Sequence, residues 1–124
     1  MEITFTDREA DVIQILWEHG PSMVTEVQAR LVDKLAYTTV LTVLRTLETK
    51  GYAGHTEEGR GHRYHAVIAQ QAARKSALRH LTSKLFGGST ELLMTHLVND
   101  QKLDAEQLER LRALLAAHDG HAKT

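Results

Sequence analysis

Apolar side chains near the start of the chain recur at the spacing of an amphipathic helix. The first helix is predicted to begin at Thr6, because Glu9 follows it at the spacing of a capping box. Gly20 is predicted to end this helix as its C-terminal cap, and Pro21 prevents the helix from continuing. Residues 6–20 are therefore expected to form one capped helix.

Two further helices are expected before Gly51. The first is predicted to be capped by Ser22 and to fade near Lys34, and the second to run from about Thr38 to Lys50. Because the β-branched residues 38–40 are poor helix formers in isolation, a strand at this point is the alternative. The apolar residues of the second segment form one helical stripe, which comprises Val40, Leu44 and Leu47.

A β-hairpin and then more helices are predicted in the rest of the chain. The segments Tyr52–Glu57 and His62–Ile68 are expected to pair across the glycine-containing loop of residues 58–61. Helices are predicted over residues 70–86, then after a cap at Ser89, and again from Asp104. The middle one of these helices is expected to bury a group of apolar residues and to break at Asn99-Asp100. That apolar group comprises Leu92, Leu93, Leu97 and Val98.

Three helices, a hairpin and three more helices are the order of a winged helix followed by a helical region. The expected fold class is therefore mainly α with a small β-hairpin wing: a winged helix-turn-helix plus a C-terminal helical dimerisation region. We expect a winged-helix DNA-binding domain over residues 1–69, a dimerisation region over 70–118 and a flexible tail over 119–124. Leucine-rich helices supply the expected dimer contact, through Leu85, Phe86, Leu93, Leu97, Leu108, Leu111 and Leu115.

The third predicted helix is rich in threonine on the side away from its apolar stripe. An α-helix fits the major groove of DNA, where a threonine hydroxyl can bond a base and its methyl group can touch thymine. Arginine can bind guanine through two hydrogen bonds, and a helix N-terminus attracts phosphate. The residues of this helix that are predicted to contact DNA are Thr38, Thr39, Thr42, Arg45, Thr46 and Lys50.

The predicted hairpin turn is basic. Arg60 lies between two glycines at the tip, and Arg63 follows closely, so both are predicted to reach phosphates or a narrow minor groove. An ordinary solvated turn is the alternative interpretation. The net charge of −1 does not favour nucleic acid, but the charges are unevenly distributed. Residues 34–79 carry eight Lys and Arg against three Asp and Glu, whereas residues 1–33 carry two against seven.

Several other classes of protein are not indicated. The chain has no cysteine, which excludes disulfides, thiolate zinc sites and a cysteine nucleophile. No catalytic or phosphate-binding motif is present, so we expect neither an enzyme nor a cofactor. His62 and His65 should point to opposite faces of their strand, so no metal site is predicted. Neither a secretory signal nor a membrane-inserted segment is recognisable, so a cytoplasmic location is expected.

The residues described above resemble those of the penicillinase repressors and their copper-responsive relatives. The resemblance is carried by Leu16-Trp17-Glu18 with Gly20-Pro21, by the string from Tyr37-Thr38-Thr39-Val40 to Lys50-Gly51-Tyr52, and by Leu85-Phe86-Gly87-Gly88-Ser89. It extends over essentially the whole chain. The string in the third helix is its most specific part.

The resemblance implies a winged helix that represses genes for resistance or metal handling by binding inverted-repeat operators. It also implies, for the penicillinase members, that a membrane sensor-protease signals antibiotic and that the repressor is cut in a dimerisation helix. The matching segment here contains Asn99 and Asp100, whereas an apolar residue follows the asparagine in the family. The cysteine pairs of the copper-responsive members are absent, which excludes their mode of copper release.

The expected function is therefore a homodimeric transcriptional repressor that binds a double-stranded DNA operator, with a membrane sensor-protease as a possible indirect partner. Two alternatives stay open at this point. Winged helices also serve as protein-interaction modules, and the near-neutral charge is compatible with that use. The eight histidines leave room for a histidine-based metal-responsive regulator, with His118 and His121 near the C-terminus as candidates.

Overall fold

Apart from one additional short strand after the first helix, the helices and strands follow one another in the predicted order in the computed structural model, which describes residues 2–122. Their bounds are α1 Asp7–His19, β1 Ser22–Met23, α2 Val24–Arg30, α3 Tyr37–Thr49, β2 Ala53–Glu58, β3 Gly61–Ala66, α4 Gln70–Leu85, α5 Thr90–Asp100 and α6 Ala105–Ala122. This confirms the mainly helical fold with a small β wing. The chain divides into two compact units, and the boundary between them falls after His80, inside α4.

Helix α1 begins and ends where the sequence indicates. The Glu9 N–H donates to Thr6 Oγ1 at 3.2 Å, and the Thr6 N–H donates to Glu9 Oε1 at 2.8 Å, which is the expected capping box. At the other end, Gly20 has a φ of 75° and its N–H donates to the Leu16 carbonyl at 2.9 Å. Because few other residues adopt this φ, glycine suits the cap.

The prediction that Ser22 caps α2 is wrong. Ser22 lies in β1, where it pairs with Tyr64 of β3, and its hydroxyl donates to the Gly20 carbonyl at 2.9 Å. Helix α2 begins one residue after Met23, whose N–H donates to the Glu26 side chain at 2.7 Å. The helix also ends earlier than expected, at Arg30 rather than near Lys34.

Helix α3 matches its predicted bounds to within one residue at each end. The alternative that residues 38–40 form a strand is wrong, because the stripe of Val40, Leu44 and Leu47 is completely buried in the helical arrangement. Packing of this stripe therefore offsets the weak helical preference of its β-branched residues.

The wing is a three-stranded antiparallel sheet with the strand order β1-β3-β2. Its hairpin turn has two residues rather than the predicted four, because Glu58 pairs directly with Gly61. Gly59 supplies the positive φ of 62° that such a tight turn needs. The second strand ends at Ala66 rather than at the predicted Ile68, so it is shorter than predicted.

The core of the first unit lies between α1, α2, α3 and the wing. Trp17 of α1 fixes the segment after the wing, since its indole N–H donates to the Ile68 carbonyl at 2.9 Å. The Phe5 ring packs edge-on against both Trp17 and Tyr52. The buried apolar residues of this core are Val12, Ile13, Ile15, Leu16, Val24, Val27, Val40, Leu44, Leu47, Tyr52, Ala53 and Tyr64.

The second unit contains the end of α4 together with α5 and α6. Ser89 caps α5 as predicted, since its hydroxyl accepts from the Leu92 N–H at 3.0 Å. Asp104 caps α6, where its carboxylate accepts from the Gln107 N–H at 2.7 Å. Helix α6 continues to Ala122, past the predicted start of a tail at residue 119, while Lys123 and Thr124 lie outside the described residues.

Only one of the four apolar side chains that were expected to be buried in α5 is buried in the single chain. Leu93 is 6% exposed, whereas Leu92, Leu97 and Val98 are 44%, 41% and 55% exposed. Nor do the next residues break the helix, since Asn99 and Asp100 form its last turn. The apolar pattern predicted the helix correctly but not what covers it.

Candidate nucleic-acid interface

The face of α3 opposite its buried stripe is open to solvent. Thr38, Thr39, Thr42 and Arg45 are exposed on it, and Thr46 is half-buried at its edge. All five were predicted to contact DNA, and the fold presents them on one helix that follows the turn after α2. A double helix could approach this surface without unfolding any part of the unit.

Three threonine hydroxyls of α3 are bonded within the helix itself. Thr42 donates to the Thr38 carbonyl, Thr46 to the Thr42 carbonyl and Thr49 to the Arg45 carbonyl, each at 2.9 Å. Each hydroxyl proton is therefore already used. From a DNA partner these side chains can accept a hydrogen bond through oxygen or make contact through their methyl groups.

The N-terminus of α3 has no side-chain cap. Ala36 occupies the N-cap position, and the first turn carries no acidic residue. The Thr39 and Val40 N–H groups both donate to the Ala36 carbonyl, which leaves those of Tyr37 and Thr38 at the helix start. These amides and the helix dipole favour an anionic group such as phosphate.

The two wing arginines have different environments. Arg60 is exposed in the hairpin turn, and within the described part of the chain its side chain has no ion-pair partner. Arg63 instead forms ion pairs with Glu58 across the hairpin and with Glu26 on α2, and it donates to the Pro21 carbonyl. The hydrogen bond with Glu58 is the main reason that the pKa of Arg63 is raised.

Lys50 is also engaged within the protein. Its ammonium group lies 2.8 Å from Glu9 Oε1, and Glu9 is only 4% exposed. Burial acts to raise the pKa of Glu9, but the hydrogen bonds from Lys50 and Thr6 and the charge of Lys50 together lower it below 4.5. The structure thus gives Lys50 a role in holding α3 against α1.

Sequence reasoning missed a cluster between α3 and the wing. His55 Nδ1 lies 2.7 and 2.8 Å from the two carboxylate oxygens of Glu48, and its ring stacks on that of His62 at 4.3 Å. The Tyr64 ring lies beside both histidines. Once the hairpin register is known, alternation places His55, His62 and Tyr64 on one face. The predicted strands, closed symmetrically across residues 58–61, have this same register, so alternation along them is the signal that could have identified the cluster.

The predicted dimerisation residues lie in the second unit, and most of them are exposed in the single chain. Leu93 is the exception, because it is only 6% exposed. The half-buried ring of Phe86 packs edge-on against His96 at 5.4 Å. The exposed leucines among these residues are Leu85, Leu97, Leu108, Leu111 and Leu115.

The residues of the predicted cleavage region lie in the last turn of α5. The side chain of Asp100 is fixed by His96, whose Nδ1 lies 2.9 Å from it. Loop tips are the usual sites of proteolytic cleavage, so this turn would have to unwind before the bond between Asn99 and Asp100 could be cut.

Neither a metal site nor a membrane-spanning helix is present among the described residues. Among the described residues, no three His, Asp or Glu side chains come close enough together to hold a metal ion. His118 and the tail beyond it contribute no such group within the described residues, and His121 has no described side chain. None of the helices within residues 2–122 combines the length and apolar character needed to cross a membrane.

Together, an exposed helix that follows the connection of residues 31–36 and an adjacent β-hairpin with an exposed arginine in its turn are typical of a winged-helix DNA-binding transcriptional regulator. The family model of the penicillinase repressors matches residues 5–117. The chain therefore belongs to the penicillinase repressor family, as the sequence resemblance implied.

Solved structures support the fold. The chain is similar to the transcriptional regulator Tm0710 from Thermotoga maritima, with a TM-score of 0.54 and 16% identity over 95% of this chain and 76% of that one. It is also similar to a MarR family protein from Bacillus stearothermophilus, with a TM-score of 0.52 and 18% identity over 97% of this chain and 77% of that one. A search of the curated proteins found no match.

Proposed function

We propose that this protein is a homodimeric transcriptional repressor in which each copy binds one half of an inverted-repeat operator. The observation that carries the proposal is the exposed threonine and arginine face of α3, with Arg60 of the wing on the same unit. Membership of the penicillinase repressor family supports the same function.

In this proposal α3 enters the major groove and the wing contacts the neighbouring backbone. Thr42 and Arg45, one helical turn apart, read base edges, while the uncapped amides of Tyr37 and Thr38 bind phosphate. Arg60 adds a phosphate or minor-groove contact. Lys50 and Arg63, which are paired with carboxylates, orient α3 and the wing rather than bind DNA directly.

The second unit is proposed to hold two copies together. Exposed apolar surface on a helical unit supports an interaction site when a partner can cover it. The exposed leucines on α5 and α6 include Leu97, Leu108, Leu111 and Leu115. A second copy would cover them, and two half-sites would then be bound together, which specific recognition at physiological salt requires.

On the strength of the family, the regulated genes are proposed to be resistance or stress genes. The protein is proposed to act in the cytoplasm. Repression would be steric, because a bound dimer covers the promoter. Asp100 favours release from DNA without cleavage at the Asn99-Asp100 bond, because an apolar residue follows the asparagine in the family.

The test is selection of binding sites from a pool of randomised DNA duplexes with the full chain. The proposal predicts enrichment of an inverted repeat whose half-sites are spaced by about one helical turn or a multiple of it. The control is the same selection carried out with a double variant, Arg45→Ala and Arg60→Ala, which should show no such enrichment. Failure of the wild-type chain to enrich any sequence would overturn the proposal, and enrichment of a single unrepeated site would overturn its dimeric part.

A further inference from the structure

Four side chains of one cluster lie between the wing and α3, and the proposed DNA contacts use none of them. We call Glu48, His55, His62 and Tyr64 the histidine cluster. His55 Nδ1 lies 2.7 and 2.8 Å from the carboxylate oxygens of Glu48. The rings of His55 and His62 are nearly parallel, at an angle of 14° and with their centres 4.3 Å apart. These rings are not arranged to share a metal ion, since the nitrogen lone pairs of stacked rings do not converge.

The cluster lies between the two parts of the protein that are proposed to contact DNA. Glu48 follows Arg45 by three residues on α3, which is the spacing at which an arginine and a carboxylate can pair on one helix. The carboxylate is instead turned to His55 of β2, while the exposed Arg45 side chain is hydrogen-bonded to the Tyr64 phenol. His62 follows Arg60 by two residues at the start of β3.

A carboxylate at this position opposes DNA binding, because phosphates approach from the same side as Arg45. Neutral His55 can donate only one hydrogen bond to Glu48 and leaves its negative charge in place. Protonated His55 forms a charge-assisted hydrogen bond with it and cancels the charge. One proton would therefore both strengthen the contact between wing and helix and remove a repulsion from the DNA-facing side.

The charged and titratable groups around His55 allow one such proton but disfavour two. From α3 it is faced by Glu48 and Arg45, from β3 by His62 and Tyr64, and Glu57 lies directly opposite His62 across the hairpin. A second proton on His62 would place two positive rings in stacking contact. Burial and the nearby Glu48 raise the pKa of the Tyr64 phenol, so it stays neutral throughout this range.

We infer that Glu48 and His55 are a proton-linked determinant of DNA affinity: binding of DNA favours a proton on His55, and affinity therefore rises as the pH falls from 8 to 6. This inference rests on the proposed DNA-binding function. Histidine titrates in this range when unperturbed. Because only one proton is linked to binding, the affinity for DNA can change by at most about tenfold for each pH unit. We expect it to rise by about three- to tenfold over the whole interval.

The test measures affinity by fluorescence anisotropy on a duplex obtained from the selection, at pH 6, 7 and 8 and at constant ionic strength. His55→Gln keeps a neutral donor at every pH, so its affinity should match the wild type at pH 8 but should fail to rise at pH 6. Glu48→Gln should bind more tightly than the wild type at pH 8 and should lose the pH dependence. His65→Gln is the matched control, because His65 lies on the opposite face of the same strand.

The inference requires that both variants flatten the pH profile and that the control keeps it. A folded His55→Gln or Glu48→Gln protein that retains the full wild-type rise would overturn it, as would a control that loses the rise. Weaker binding of Glu48→Gln at pH 8 would show a merely structural contact and would also overturn it. Circular dichroism at each pH identifies a variant that has unfolded, in which case the other variant decides. A wild-type chain that binds no duplex would contradict the proposed function instead.

Discussion

The ammonium group of Lys50, at the end of α3, lies 2.8 Å from the carboxylate of Glu9, near the start of α1. The carboxylate is almost fully buried and also accepts the N–H of Thr6. A residue that looks like a DNA contact in the sequence therefore supports the packing of α3 against α1. A substitution of Lys50 can therefore distinguish a structural role of this residue from a DNA-binding role.

Lys50→Ala is expected to lower the free energy of unfolding by about 1–3 kcal/mol, because it leaves a buried acceptor without its charged partner. It should leave the salt dependence of DNA binding unchanged, since no phosphate contact is lost. Urea unfolding and affinity at several salt concentrations measure the two effects. Lys75→Ala, which changes an exposed lysine of α4, is the control for stability. A stable Lys50→Ala protein with a smaller salt slope would show that Lys50 binds phosphate.

The lowered pKa of Glu9 also predicts that the difference in stability between the wild type and Lys50→Ala depends on pH. A carboxyl group whose pKa is lower in the folded state stabilises the protein above its unfolded pKa, and this contribution disappears as the pH falls through the folded pKa. The gap between the wild type and Lys50→Ala should therefore be largest near neutral pH and shrink below pH 4.5. Thermal melts of both proteins between pH 7 and 3 measure the gap, and a gap that stays constant would contradict this prediction.

Arg60→Ala should weaken binding to all DNA sequences and reduce the slope of log affinity against log salt by about 1, because one phosphate contact is lost. Arg74→Ala removes an exposed arginine of α4, outside the proposed interface, and should leave the slope unchanged. Anisotropy titrations at increasing salt concentration provide the measurement. If both variants changed the slope equally, the wing would have no special place in binding.

Thr42 tests how the threonine face recognises a base. Because its hydroxyl proton is donated to Thr38, we expect its methyl group to make the contact with a thymine methyl. Thr42→Ser should then lose discrimination at one base position by about 1 kcal/mol, the free energy of one buried methyl group, while Thr42→Val should keep it. Affinities for duplexes that differ at a single base pair measure this. The reverse order would mean that the hydroxyl oxygen reads the base.

The sequence predicted those parts of the fold that depend on neighbouring residues. The spacing of Thr6 and Glu9 and the stripe of α3 were sufficient to place two helices. The strand at Ser22 could not be predicted, because its partner Tyr64 is distant along the chain. The same holds for the partners of Lys50 and Arg63, which lie on α1 and α2.

The candidate site was predicted in part for the same reason. An exposed helix face follows from periodicity, so Thr42 and Arg45 were recognisable in the sequence. The predicted hairpin already pairs His55 with Tyr64, but the sequence does not show that Glu48 lies against His55, because this contact joins α3 to the wing. The exposed leucines of α5 show a further limit, since an apolar stripe does not reveal whether the same chain or a second copy covers it.

The central claim is that two copies, joined through the second unit, bind one operator. Leu111→Asp should leave the helical content largely unchanged, make the protein monomeric and weaken binding to the selected inverted repeat; Glu109→Asp, an exposed position on the same helix, is the control. The most direct measurement is sedimentation of each protein with and without that duplex. We predict two wild-type chains for each duplex and no stable complex for Leu111→Asp under the same conditions. A monomeric Leu111→Asp protein that binds the inverted repeat with wild-type affinity would contradict it.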